Sequence, residues 1–100
     1  MFLGEKRKMN VHVEPLNDIN MSDIEELLIQ VYCSPKRAIE HRVFRKDGVI
    51  GKDHQLLLDT TVIGVGRVFI QVTAIISDGS VEGKQLVDID RIDTGINIIK

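Results

Sequence analysis

Residues 60–76, TTVIGVGRVFIQVTAII, constrain the fold of this chain more than any other stretch. β-Branched side chains dominate it, and these lose rotamer freedom in a helix but pack well on a pleated strand. Taken alternately, Val62, Gly64, Gly66, Val68, Ile70, Val72, Ala74 and Ile76 form one uninterrupted apolar or small face. The other face carries Arg67, Gln71 and Thr73 among Ile63, Val65, Phe69 and Ile75. This period of two predicts a long central strand, bent or bulged at Gly64/Gly66. Arg67 and Gln71 interrupt the run, whereas a membrane-spanning helix needs about 20 apolar residues, so the stretch does not read as a membrane segment.

The strand needs partners, and the chain offers several. Met9, Val11 and Val13 alternate with Asn10, His12 and Glu14, which predicts a half-buried first strand over 9–14, ended by Pro15. SDIEELLIQVYC (22–33) reads as a helix. Ser22 and Glu25 have capping-box spacing, and Ile24, Leu27, Leu28 and Val31 fall at i, i+3, i+4 and i+7. Ser34-Pro35 is expected to end or kink that helix, and residues 35–41 read equally as a short second helix or the lead into a strand. AIEHRVF then reads as a strand, Lys46-Asp47-Gly48 as a turn, and HQLLLD as another short strand. SDGS turns the long strand back, a return begins with Val81, Val87 and Ile89, and Asp93-Thr94-Gly95 turns again before INIIK. The fold expected is a single α+β domain over 1–100. One N-terminal helix packs on a curved, mainly antiparallel sheet of about five to six strands, in the order β-α-β-β-β-β-β.

A chain of 100 residues with 43% hydrophobic residues can bury one core without a disulfide or metal staple. The single cysteine, Cys33, excludes an internal disulfide, and MFLGEKRK lacks the apolar run of a signal peptide, so a cytoplasmic location is expected. A net charge of −2 gives the whole chain no attraction to polyanions. With aromatic residues at 4% there are few faces on which bases could stack, which disfavours nucleic acid as a partner. No cofactor motif is present: Gly64-x-Gly66 follows no strand-to-helix turn, and no paired His or Cys spacing marks a metal site.

Four groups of residues carry possible chemistry. KRAIEHRVFRK (36–46) is basic, with Lys36, Arg37, Arg42, Arg45 and Lys46 against Glu40 alone; it reads either as an anion site or as an edge strand that charge protects from extension. Asp88, Asp90 and Asp93 in DIDRID read as solvated positions opposite Val87 and Ile89, because their spacing is not that of a calcium loop. Cys33 reads as a small buried hydrophobe, with a Cys33–His41 or Cys33–His54 pair as the catalytic alternative. Asp78, Ser80 and Gly83 resemble the Asp/Asn-x-Ser-x-x-Gly motif of PilZ domains, β-barrels that bind cyclic di-GMP. That family also uses an Arg-x-x-x-Arg motif, absent here, where Arg42-x-x-x-Lys46 is the nearest substitute. Asp78-Gly79 reads more simply as a hairpin turn.

The expected function is a self-associating module that binds a ligand or protein. Arg42, Arg45, Lys46 and Arg67 would contact an anionic small molecule or acidic partner, and Ile63, Val65, Phe69 and Ile75 would form the homo-oligomer interface. No catalytic residue is assigned. The enzyme alternative has a sheet-and-helix pocket for a carboxylate or phosphate substrate, which requires Arg42 or Arg67 to face inward beside His41, His54 or Asp59. A third reading is cyclic-dinucleotide binding through Asp78, Ser80 and Gly83.

Overall fold

The computed structural model describes residues 1–15, 20–77 and 85–100. Among the described residues six strands are formed: β1 (Lys6–His12), β2 (Ile24–Tyr32), β3 (Ala38–Phe44), β4 (Asp53–Asp59), β5 (Gly66–Ser77) and β6 (Gln85–Ile98). They make two antiparallel sheets, one pairing β1 with β4 and the other in the order β3-β2-β5-β6. One core lies between them. Val11, Leu56 and Leu58 of the small sheet pack in a single cluster with Leu27, Ile29, Val31, Val68, Ala74 and Ile76 of the large one. The long axis of the molecule is 50 Å, about the length that the β5–β6 pair reaches at roughly 3.3 Å per residue.

The architecture is thus mostly antiparallel sheet, and the expected N-terminal helix is absent. Its segment is β2, an interior strand between β3 and β5. Leu27 and Ile29 are 0% exposed and Val31 1%, a period of two that displaces the expected i, i+3, i+4, i+7 stripe. Leu28, assigned to the helix core, is half-buried on the opposite side. The burial of Ile24 is reconciled by a bulge between Ile24 and Glu26, which inserts a residue and resets the alternation. The physical reason is competition: a lone helix as short as residues 22–33 is marginal in water, whereas β2 supplies both neighbours with a ladder. Of the capping signal only a 3₁₀ turn over Met21–Asp23 remains, where Asp23 Oδ2 accepts from the Asn20 amide at 3.1 Å.

The long strand is shorter than expected at its start. Thr60–Ile63 form a single helical turn, α1, and Gly64 (φ 83°) and Gly66 (φ 133°) take the left-handed backbone that lets the chain enter β5. Asp59 caps α1, its Oδ1 accepting from the Thr61 amide at 3.0 Å and the Thr61 hydroxyl at 2.6 Å. Where a turn was expected at Asp93-Thr94-Gly95, β6 runs on through an irregularity: Phe69 pairs with Asp93 but Arg67 with Asn97. The Thr94 hydroxyl donates to the Val68 carbonyl at 2.8 Å there, satisfying a group that the ladder leaves unpaired. Strands over 38–44 and 53–59 match the sequence reading, the first resolving residues 38–41 as strand. Asp78, Ser80 and Gly83 lie outside the described residues.

Candidate functional site

The register of the large sheet decides which side chains meet. Directly opposed residues of an antiparallel pair project to the same side. The inner side is therefore fixed by the buried Leu27, Ile29 and Val31, whose β3 partners are Val43, His41 and Ile39. The outer side carries Phe44, Glu26 and Ile75 in one row, and Ala38, Tyr32, Phe69 and Asp93 in another.

At the Phe44 end of the outer side lies a cleft of 350 Å³, lined by Glu25, Glu26, Phe44, Arg45, Lys46 and Ile75. β3 ends at Phe44, and Arg45–Asp47 form a 3₁₀ turn that Gly48 (φ 137°) closes. This turn lifts two cations over the sheet. Arg45 Nη1 donates to the Ser22 carbonyl at 2.6 Å, tying the turn to the segment before β2. Lys46 Nζ lies 5.0 Å from the Phe44 ring centroid, within cation–π range. Glu26 is offset by Arg42 at 3.3 Å. Phe44 and Ile75 supply apolar wall beneath these charges.

The four cations named from the sequence do not converge. Arg45 and Lys46 line the cleft, and Arg42 stands beside it, held by Glu26 and, at 4.0 Å, by Glu40. Arg67 is roughly 26 Å away along β5, eight residues from Ile75. Its Nε donates to both oxygens of Asp93 at 2.9 and 2.8 Å. That bond, reinforced by the Gly95 amide, holds the Asp93 carboxyl below its ordinary value and raises the Arg67 guanidinium. The four apolar residues also separate. Ile63 is 2% exposed and belongs to the core, not to the second face of the strand. Val65 is exposed ahead of β5. Phe69 packs on Tyr32 with ring centroids 6.1 Å apart, beneath Arg91 at 4.4 Å, while Ile75 lines the cleft.

On the inner side, His41 and His54 face each other with ring centroids 5.5 Å apart. His54 is buried, its Nε2 2.7 Å from the Gly51 carbonyl. Burial and the neighbouring His54 hold His41 below the ordinary histidine value. Cys33 is elsewhere: its Sγ lies 3.6 Å from the Gly64 carbonyl, and burial raises its pKa. Arg42 and Arg67 project from the outer side, away from His41 and His54, and Asp59 is committed to α1 and to Lys6 at 3.7 Å. The inward arginine that the enzyme reading requires is not assembled among the described residues.

A smaller cavity of 130 Å³ opens between the layers, walled by apolar residues including Val11, Ile24 and Val72. At its mouth, His12 bridges Asp53 (2.7 Å) and Glu14 (2.6 Å), which raises the imidazole above its ordinary value. Among the described residues no three His, Cys, Asp or Glu side chains are placed to hold a metal, and no helix is long and apolar enough to cross a membrane.

Of the residues lining the cleft, the sequence reading named Arg45 and Lys46 for ligand binding and Ile75 for an interface instead, and missed Phe44, Glu25 and Glu26. Phe44 immediately precedes the basic pair, which was the available signal. Comparison with known proteins finds no matching family model, curated protein or solved structure.

Proposed function

We propose that this chain is a binding module whose cleft at the end of the large sheet takes an anionic group attached to an apolar body. One observation carries the reading: Arg45 and Lys46 converge on a 3₁₀ turn above the apolar surface of Phe44 and Ile75. Arg45 uses one Nη on Ser22, and its remaining N–H donors match the paired oxygens of a carboxylate or phosphate. Because the site is open to water, affinity depends on the apolar contact, with charge setting specificity and encounter rate. An acidic protein segment presenting one aromatic or aliphatic residue beside its carboxylate meets the same requirements. An enzyme acting on an anionic substrate is the second class of function, and cyclic-dinucleotide binding through Asp78, Ser80 and Gly83 the third.

Titration with phenyl phosphate, followed by NMR shifts of the Phe44, Arg45 and Lys46 amides, tests the proposal. Saturable shifts at these amides that Arg45→Ala plus Lys46→Ala abolishes are expected, with Arg67→Ala without effect. Shifts that persist in the double variant, or none at millimolar ligand, overturn it.

A further inference from the structure

β3 is an edge strand of the large sheet: β2 occupies one side, and no strand pairs with the other among the described residues. Its pairing with β2 is regular over all seven residues, without a bulge. Among the described residues, backbone hydrogen bonds outside the ladders reach none of residues 38–44. Exposed edges of this kind are usually protected by charge or distortion. Here the charges do the opposite, because the strand AIEHRVF is self-complementary about its centre.

We propose that two copies of this chain pair through β3, antiparallel about a two-fold axis at His41, joining the two large sheets into one. In that register Glu40 stands opposite Arg42 of the second copy and Arg42 opposite its Glu40. Ile39 meets Val43, and Ala38 meets Phe44. Opposite charges and apolar pairs directly across a ladder are stabilising, and like charges destabilising. Shifting the axis to residue 40 opposes two glutamates, and shifting it to residue 42 opposes two arginines. The charges thus select one register.

Burial supports a second copy as the occupant. The β2 residues Leu27, Ile29 and Val31 are almost completely buried, yet their β3 partners Val43, His41 and Ile39 are only half-buried. The inner layer reaches this strand through His54, which packs on His41, and Ile39 and Val43 pack against the core, yet both stay half-buried beside the unpaired backbone. Glu40 and Arg42 are exposed on the other side; Arg42 spends Nη1 on Glu26 at 3.3 Å and Glu40 accepts from Gln30 at 3.2 Å, but at 4.0 Å from each other the second Arg42 nitrogen and the second Glu40 oxygen are left for a partner. The inference replaces a sheet-face interface with an edge; it shares Phe44 with the cleft but does not rest on a ligand binding there.

Sedimentation velocity over a concentration series is the first test, with phenyl phosphate titration of the same variants as a separate readout of the cleft. Wild type is expected to dimerise. Arg42→Glu places like charges opposite each other twice and should weaken the dimer about tenfold or more, and Glu40→Arg combined with Arg42→Glu should restore it. Oxidation of His41→Cys in a Cys33→Ser background should give a covalent dimer, since opposed Cα atoms in a ladder are about 4.5–5.5 Å apart, within disulfide reach. Ile92→Cys, on β6, should not. If Arg42→Glu unfolds the chain, the cross-link decides alone. A wild-type protein that stays monomeric at millimolar concentration, or a dimer that His41→Cys fails to lock, overturns the proposal.

Discussion

Truncating Ile29 and, separately, Leu28 to alanine distinguishes a strand from a helix at residues 24–32 by stability alone. Both changes remove the same three carbons, worth about 0.8 kcal/mol each when fully buried. Ile29 is 0% exposed at the centre of the core, so its loss carries the full transfer term of about 2.4 kcal/mol. The cavity left behind brings the total to roughly 3–4 kcal/mol. Leu28 is half-buried on the outer side beside Arg42 and Thr73, and its loss should cost about 1 kcal/mol. In urea unfolding followed by circular dichroism, the midpoint should fall far more for Ile29→Ala at an unchanged slope. In thermal melts a loss of ~3 kcal/mol corresponds to roughly 12–24 °C. The helical reading places Leu28 in the core stripe and Ile29 outside it, and so requires the reverse order. Equal losses, or a larger loss at Leu28, would refute the assignment.

Acid should destabilise the fold through His41. Its folded pKa is depressed by burial and by His54, so the unfolded chain binds the proton more readily, and stability falls as pH drops below about 6.5. His41→Gln should flatten that slope in pH-dependent urea midpoints, and an unchanged slope would dismiss the His41–His54 contact as its source. His12 has the opposite sign: Asp53 and Glu14 raise it, so its contribution is present in acid and lost as pH rises above the ordinary histidine value. His12→Asn should remove that loss, read as a midpoint at pH 8 that stands higher relative to the midpoint at pH 6 than it does in the wild type. Gly66→Ala should cost about 1–3 kcal/mol, because φ is 133°, a backbone that side chains rarely adopt, although the new Cβ itself would make only ordinary contact 3.5 Å from Cys33 Cβ; a neutral melt would show that the backbone relaxes there.

Much of the sheet was legible because it rests on alternation that needs no partner to be seen. Val68 to Ile76, Val11 with Met9, and Leu56 with Leu58 face inward as the period of two requires. β2 was not legible. Its apolar residues at 24, 27, 28, 29 and 31 satisfy both periods, and the capping-box letters tipped the local balance toward helix. The deciding energy is non-local, since β2 lies between two strands whose pairing no window of sequence contains. The cleft was half legible for the same reason: Arg45 and Lys46 announce themselves by charge, but Ile75 joins Phe44 only through the β3-β2-β5 register. The symmetry of AIEHRVF stands in the sequence, yet it acquires meaning only once β3 is known to be an edge.

The interior position of β2 organises the core, the cleft and the free edge alike, and cross-strand nuclear Overhauser effects test it directly. Residue 29 should show contacts to both His41 on β3 and Val72 on β5, with amides of Leu27, Ile29 and Val31 among the slowest to exchange. Sequential i, i+3 contacts through residues 24–31, with none to residues 41 and 72, would contradict the account.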